Sequence, residues 1–296
     1  MIHYKKTLGD HIFDLVLAVF IILVLVITLY PLIYVVSMSI SDPLAAARGD
    51  VWLLPVGFDL TAIKKVLSDS NVLMYYGNTL YYTIVGTACG VFVTCLAAYP
   101  LSRYEFRGRK LVTRFFMFTM FFGGGLIPTY IVVARFLRLA DTRAIIIILS
   151  LTTAWYISIT RNFFQSLPSE LVECARIDGA SETRIFAQII RPLSKPILAV
   201  LALYKAVAHW NSYFNAMLYI SDKTKQPLSM YIRSLIIQNS MQAMQEMVEA
   251  ISVEDLLSVL QLKYAVIVVS VLPMLIIYPF ISKNLEKGLM IGAVKG

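Results

Sequence analysis

LVLAVFIILVLVITLYPLIYVVSMSI, residues 15–40, runs for 26 positions without a charge, and its length decides which solvent the chain folds in. An α-helix rises about 1.5 Å per residue, so about 20 apolar residues cross the roughly 30 Å hydrocarbon layer of a bilayer. The run is therefore long enough to span. Lys5 and Lys6 before it and Ala45–Ala47 after it also resemble a secretory signal and its cleavage site. Signal cores extend over only about 7–15 residues, however, and the length favours an uncleaved anchor.

Working outward, residues 71–102, 115–134, 144–160 and 264–282 are likewise free of charge. A further stretch, 196–221, is interrupted by Lys205 and His209 alone. The expected organisation is a single all-α integral membrane domain over 1–296 with six transmembrane helices. They lie at about 15–40, 74–101, 115–134, 144–161, 198–220 and 264–282. Composition agrees, since 58% of the 296 residues are hydrophobic and 15% charged, against about a quarter charged in soluble domains. So much apolar surface exceeds what one soluble core can hide.

The net charge of +8 sits in short segments between the apolar runs, which argues for helix orientation and against nucleic acid. Six spans put both termini on one side. The N-terminus, the second and fourth loops and the C-terminus hold 15 Lys and Arg, the opposite loops 10 diluted by ten acidic residues. By the positive-inside rule both termini and the segment 162–196 are cytoplasmic and the loop 222–263 is external. Cys89, Cys95 and Cys174 imply no disulfide framework.

Within the spans, Gly86 and Gly90 put two small residues on one helix face where another backbone can come close, as a contact inside one subunit rather than a dimer signal. Gly123, Gly124 and Gly125 followed by Pro128 weaken the third span, because glycine adds backbone freedom and proline removes a donor. The break expected there either lines a translocation path or serves packing alone. In the fifth span Lys205, His209 and Ser212 share a face at i, i+4 and i+7. Lys205 has two readings, an ionisable group with a function inside the membrane or a side chain snorkelling to the interface. Trp210, Asn211, Tyr213, Phe214 and Asn215 combine aromatic faces with amides, as sugar sites do, but they also suit an interfacial aromatic belt.

The chain has no phosphate cradle, no His-Glu-x-x-His, no Cys-x-x-Cys and no Gly-x-Ser-x-Gly, and its three histidines are scattered. No catalytic residue, bound cofactor or metal is expected, so energy for any work comes from a partner or a gradient. The segment 161–195 is amphipathic and longer than a connector needs. It reads as two short helices, the first capped by Ser169 with Glu170 and Glu173 in its opening turn and ended by Gly179 at positive φ, the second capped by Ser181 and running to Pro192. Such a hairpin suits docking to a soluble partner or lying on lipid headgroups.

Glu173-Cys174-Ala175-x-x-Asp178-Gly179-Ala180, followed by Ile190-Arg191-Pro192 and Lys195-Pro196, closely resembles the cytoplasmic loop of binding-protein-dependent ABC importer permeases. Cys174 stands where the family usually has alanine. Ala98-Tyr99-Pro100-Leu101-Ser102-Arg103, Gly124 to Tyr130, His209 to Asn215 and the tail Gly292 to Gly296 resemble the carbohydrate-uptake branch, in particular its complex-oligosaccharide permeases. The likeness extends over nearly the whole chain.

That resemblance implies a type I importer permease fold in a bacterial cytoplasmic membrane. Its expected partners are a second homologous permease, two ATPase subunits that hold the ATP and Mg, an extracellular sugar-binding protein and an oligosaccharide. Glu173, Ala175, Asp178, Gly179 and Ala180 become the ATPase-coupling residues, and Val294, Lys295 and Gly296 a tail contact to the ATPase. The external loop 222–263 becomes the contact for the binding protein, or a solvated cap over the pore. His209, Trp210, Asn211, Tyr213, Phe214, Asn215, Gly124 and Gly125 are candidates for the substrate path. An importer for peptides or other non-sugar solutes is the alternative within the class. An ion-coupled secondary transporter is the rival from another class, although the spans carry no Asp or Glu to hold coupling ions.

Overall fold

The computed structural model describes residues 8–245 and 261–276, and all regular elements among them are helical. The chain divides into two compact units. The first comprises residues up to Asp69 together with 234–271. It opens with α1 (Leu8–Ser39), whose apolar side chains stay exposed along most of its length until Ser37, Met38 and Ser39 become buried. A 32-residue helix is about 48 Å long, more than a hydrocarbon layer requires. Two short helices follow. Asp42 caps α2 (Pro43–Arg48) by accepting from the Ala45 N–H at 3.2 Å. Asp59 accepts from the Thr61 N–H at 2.8 Å as α3 (Thr61–Ser68) begins.

The second unit, from Ser70 to Arg233 with residues beyond 271, is arranged around α4 (Ser70–Ser102). On α4, Tyr82, Gly86, Gly90, Thr94 and Ala98 recur every fourth residue and are all buried. Every fourth residue falls on one helix face, so this stripe is the seat for neighbouring helices. The remaining elements are α5 (Arg109–Phe121), α6 (Leu126–Ile131) with a π-turn over Val132–Phe136, α7 (Arg143–Leu149) and α8 (Ala154–Ser166). They continue with α9 (Glu170–Ile177), α10 (Glu182–Ile185), a π-turn over Phe186–Ile190, α11 (Arg191–Leu193), α12 (Lys195–Trp210) and α13 (Phe214–Tyr219). The helix α14 (Leu228–Gln245) begins in this unit, while its residues from Ser234 and the apolar helix α15 (Gln261–Ile276) as far as Val271 belong to the first.

The helix map refines the expected spans. By length and apolarity α1 and α4 can each cross a membrane alone. The glycine run bends α5 against the α6 segment by 113°, with Gly125 at φ +81°, as the weakened third span predicts. The stretch 144–161 is not one rod: it breaks between α7 and α8 with a 54° bend. The physical reason is local, because the Thr153 hydroxyl accepts from the Tyr156 N–H and starts a new helix. The stretch 198–220 is also broken, at 211–213, where α12 ends at Asn211 before α13 begins. An 80° bend separates α12 from the helical run Glu182–Leu193 before it. The predicted span 264–282 falls in α15 as far as Ile276, and its remainder lies outside the described residues.

Why α12 can lie so close to α4 is visible at the two glycines. The His209 ring rests on Gly86, where a Cβ would collide with the imidazole. At Gly90 a Cβ would lie 2.8 Å from both the Lys205 Cδ and the Leu151 carbonyl oxygen. Lys205 is 1% exposed, donates to the Leu151 carbonyl at 2.5 Å and lies 4.5 Å from the Tyr156 ring centroid. It does not snorkel in this chain; the carbonyl and the ring hold its ammonium within the unit. One helix turn further, the Thr94 hydroxyl bonds the Gly90 carbonyl at 2.6 Å and shares a 2.8 Å hydrogen bond with Thr152.

The two glycines make separable predictions. Gly86→Ala should destabilise the folded protein by about 1–3 kcal/mol through overpacking, and His209→Ala should restore much of that loss because the obstacle is a side chain. Gly90→Ala should be at least as damaging, and Lys205→Ala should not rescue it, because the Leu151 backbone carbonyl remains. Thermal unfolding of the four variants in detergent measures both.

Candidate functional site

The segment between α8 and α12 forms a tight elbow. Glu170 and Glu173 occupy the first turn of α9, where carboxylates complement the helix dipole. Ser169, expected to cap this helix, has helical backbone angles and its hydroxyl makes no capping bond. Its carbonyl instead accepts from the Val172 and Glu173 N–H groups. The C-terminal end is as the sequence indicates. Gly179 adopts φ +78°, its N–H donates to the Arg176 carbonyl, and the Ala180 N–H donates to the Ala175 carbonyl. Paired bonds of this kind around a left-handed glycine close a helix and reverse the chain in two residues. The Ser181 hydroxyl then accepts from the Arg184 N–H and starts α10.

The elbow has an outward tip and an inward side. Glu173, Ile177, Asp178 and Gly179 are exposed, and Ile177 at 86% is a large apolar side chain with little cover. Ala175 and Ala180 are half-buried and pack against the chain's own core of Tyr99, Phe164, Val172 and Ile185. Small residues there let the two helices sit close to α4 and α8.

A polar network that sequence reasoning missed ties this elbow to the end of α4. Arg176 on α9 reaches the Glu105 carboxylate at 2.5 Å and the Glu182 carboxylate at 2.8 Å. The Tyr99 hydroxyl on α4 donates to the other Glu182 oxygen at 2.7 Å. The Tyr99 ring packs 5.0 Å from Phe186, with the Arg103 guanidinium 4.7 Å from its centroid. The hydrogen bond from Arg176 holds the Glu105 carboxyl below its usual range. Burial alone pushes the Glu182 carboxyl up, but bonds from Tyr99 and Arg176 outweigh it and the net shift is downward. Both acids raise Arg176 further above its ordinary value. Because the ion pairs are largely solvent-exposed, each contributes at most about 1 kcal/mol to stability. Their effect is on position: they fix which part of α4 the elbow follows.

At the opposite end of α4 the chain closes on itself. The Asn78 amide donates to the Thr224 and Gln226 carbonyls at 2.7 and 3.0 Å, and Tyr82 donates to the Lys225 carbonyl at 2.6 Å. Asp141, at φ +59°, accepts from the Ser221 and Asp222 N–H groups. Asp222 is held at a pKa of about 2, first by the Thr224 hydroxyl.

The substrate-path candidates fall into separate places. His209 and Trp210 are buried, Trp210 edge-on to Tyr76 at 5.8 Å. Asn211, Tyr213 and Phe214 are exposed beyond the end of α12, and Asn215 is half-buried on α13. Arg233 lies 5.4 Å from the Tyr213 ring centroid. Gly124 and Gly125 are exposed at the 113° bend. Val294, Lys295 and Gly296 lie outside the described residues, as do residues 246–260 of the loop 222–263. Among the described residues no cluster of His, Cys, Asp and Glu could hold a metal.

Comparison with known proteins places this architecture. The chain is 39% identical over 293 residues to protein LplC of Bacillus subtilis, covering 98% of this chain and 97% of the relative. It is 36% identical to the polygalacturonan/rhamnogalacturonan transport system permease protein YtcP of the same organism, covering 97% and 99%. A chain in the crystal structure of a bacterial ABC transporter for import of the acidic polysaccharide alginate matches with a TM-score of 0.85 and 35% identity, over 95% of this chain and 99% of that one. Its type I importer permease fold, with long apolar helices and an elbow between α8 and α12, is that of a multi-pass membrane protein. Residues 89–291 match the family described as binding-protein-dependent transport system inner membrane component, and the chain belongs to that family.

Proposed function

We propose that this chain is a permease subunit of an ATP-driven importer for oligosaccharides, working with a second permease, two ATPase subunits and an external binding protein. The observation that carries the reading is the elbow at 170–185, exposed at its tip and tethered through Arg176, Glu182 and Tyr99 to α4. A partner that closes on ATP seizes the tip at Glu173, Ile177 and Asp178, and the tether passes the displacement to α4. The helices seated on the Gly86–Gly90 stripe then move with it, as in rigid-body switching. The end of the chain that bears the elbow is cytoplasmic, in keeping with the loop charges. ATP and Mg belong to the ATPase subunits, and this chain contributes no covalent chemistry. The names of the relatives favour sugar over peptide as the solute, and two of them are named for acidic polysaccharides. The path for that solute runs past the α5–α6 bend at Gly124 and Gly125 and the exposed Asn211, Tyr213 and Phe214.

Reconstitution of the complex in vesicles tests the proposal: loaded binding protein with uronate and neutral oligosaccharides should stimulate ATP hydrolysis and accumulation of the sugar, whereas peptides should not. Stimulation by peptides alone would reject it. Glu173→Lys should leave the spans assembled but abolish transport by removing the exposed contact at the tip. Arg176→Ala should lower transport about tenfold or more while ATP hydrolysis falls far less, since the tip still docks but no longer carries α4 with it. The tether also has a signed pH dependence. Both carboxyls are depressed, so it persists through neutral and mildly acidic conditions and is lost as pH falls below the ordinary carboxylate value of about 4.3. Hydrogen exchange at residues 170–185 should stay constant from about pH 8 to pH 5 after correction for intrinsic rates and rise below about pH 4.

A further inference from the structure

Beside the tether, a cavity of about 680 Å³ opens between the α4–α5 turn, α5 and α8. Arg107, Arg109, Lys110, Arg114 and Arg161 line it, and the acid among its lining residues is Glu105. That carboxylate is already 2.5 Å from Arg176, so five cations share one cavity wall with a single, engaged acid, and Arg107, Lys110 and Arg114 among them are exposed. Two of the guanidiniums are held in place. Arg109 stacks 4.4 Å from the Tyr104 ring centroid, and the Arg161 Nε donates to the Leu101 carbonyl at 3.0 Å. Among the described residues the buried Thr113 hydroxyl in the same wall has no hydrogen-bond partner. Clustered like charges repel unless an anion joins them, and fixed guanidinium forks match phosphate oxygens.

What kind of anion follows from the surface next to the cavity. Leu111, Phe115 and Phe118 on α5 are exposed, immediately beyond the basic residues. A soluble phosphate would make no use of that apolar flank; an amphiphile would use both. Arg176 also places the cavity at the elbow end of the molecule, where the helices of this membrane protein leave the bilayer. We infer that this cavity is a binding site for the headgroup of an anionic phospholipid, with its phosphate among Arg107, Arg109, Lys110 and Arg114 and its acyl chains along α5. Basic pockets at the ends of membrane helices take such headgroups. A lipid held there would brace the α4–α5 turn that carries Glu105, and so the anchoring side of the tether.

The test uses the purified complex with its partner subunits. Native mass spectrometry with short-chain phosphatidylglycerol and phosphatidylcholine reads retained lipid for the wild type and for the triple variant Arg107→Gln, Lys110→Gln, Arg114→Gln. Lys64→Gln with Lys65→Gln serves as a charge control. Retention of phosphatidylglycerol over phosphatidylcholine is expected, with about tenfold or greater loss in the triple variant and none in the control. Equal retention of the two lipids by the wild type would overturn the inference, and that comparison needs no variant to fold. Undiminished phosphatidylglycerol in the triple variant would overturn it too. So would displacement of the lipid by inorganic phosphate at millimolar concentration, or loss of the ATPase subunits from the triple variant in place of lipid.

Discussion

The close approach of α12 to α4 across Gly86 and Gly90 is the contact on which the second unit depends. In a lipid-solvated protein the hydrophobic effect gives helices little reason to associate, so packing and internal hydrogen bonds must hold them. Glycine at two successive turns removes the side chains that would separate the backbones, and His209 and Lys205 fill the space. A buried ammonium without a partner is costly. Here the Leu151 carbonyl and the Tyr156 ring supply one, which draws the α7–α8 break into the same contact. Filling the space at Gly90 would therefore disturb α4, α12 and the α7–α8 break at once.

From that pillar the two ends of α4 acquire different characters. One end is closed by backbone-directed bonds from Asn78 and Tyr82 to residues 224–226, which fix a loop. The other carries Tyr99, whose hydroxyl bonds Glu182 on the elbow, with the Arg103 guanidinium just past the helix end resting on the Tyr99 ring. Magnitude separates the roles. Exposed ion pairs of about 1 kcal/mol or less do not hold a membrane protein together, yet two of them converging on Arg176 suffice to select one geometry. The elbow is rigid by its helix termini and directed by its tether.

Much of this was legible in the sequence because the relevant signals are local. A charge-free run reports a span, Gly-x-x-x-Gly reports a close face, and Gly179 reports a left-handed turn, each within a few residues. The helix breaks at 150–153 and 211–213 were not legible, since no glycine or proline marks them; short polar side chains such as Thr153 restart the hydrogen bonding instead. Ser169 looked like a cap and is not one, because its backbone already belongs to the helical turn. The tether escaped for a different reason. Glu105 and Arg176 are 71 residues apart, and no periodicity connects them, so only the folded chain brings the pair together.

The central claim is that the elbow and α4 move as one body when the complex works. Pulsed electron spin resonance tests it most directly, with one label at Ser181 on the elbow and one at Tyr104 just beyond α4, in the assembled complex with and without ATP. The account predicts a single narrow distance that stays the same in both states. A shift of about 5 Å, one helical turn, or a broad distribution in a complex that still transports would contradict it.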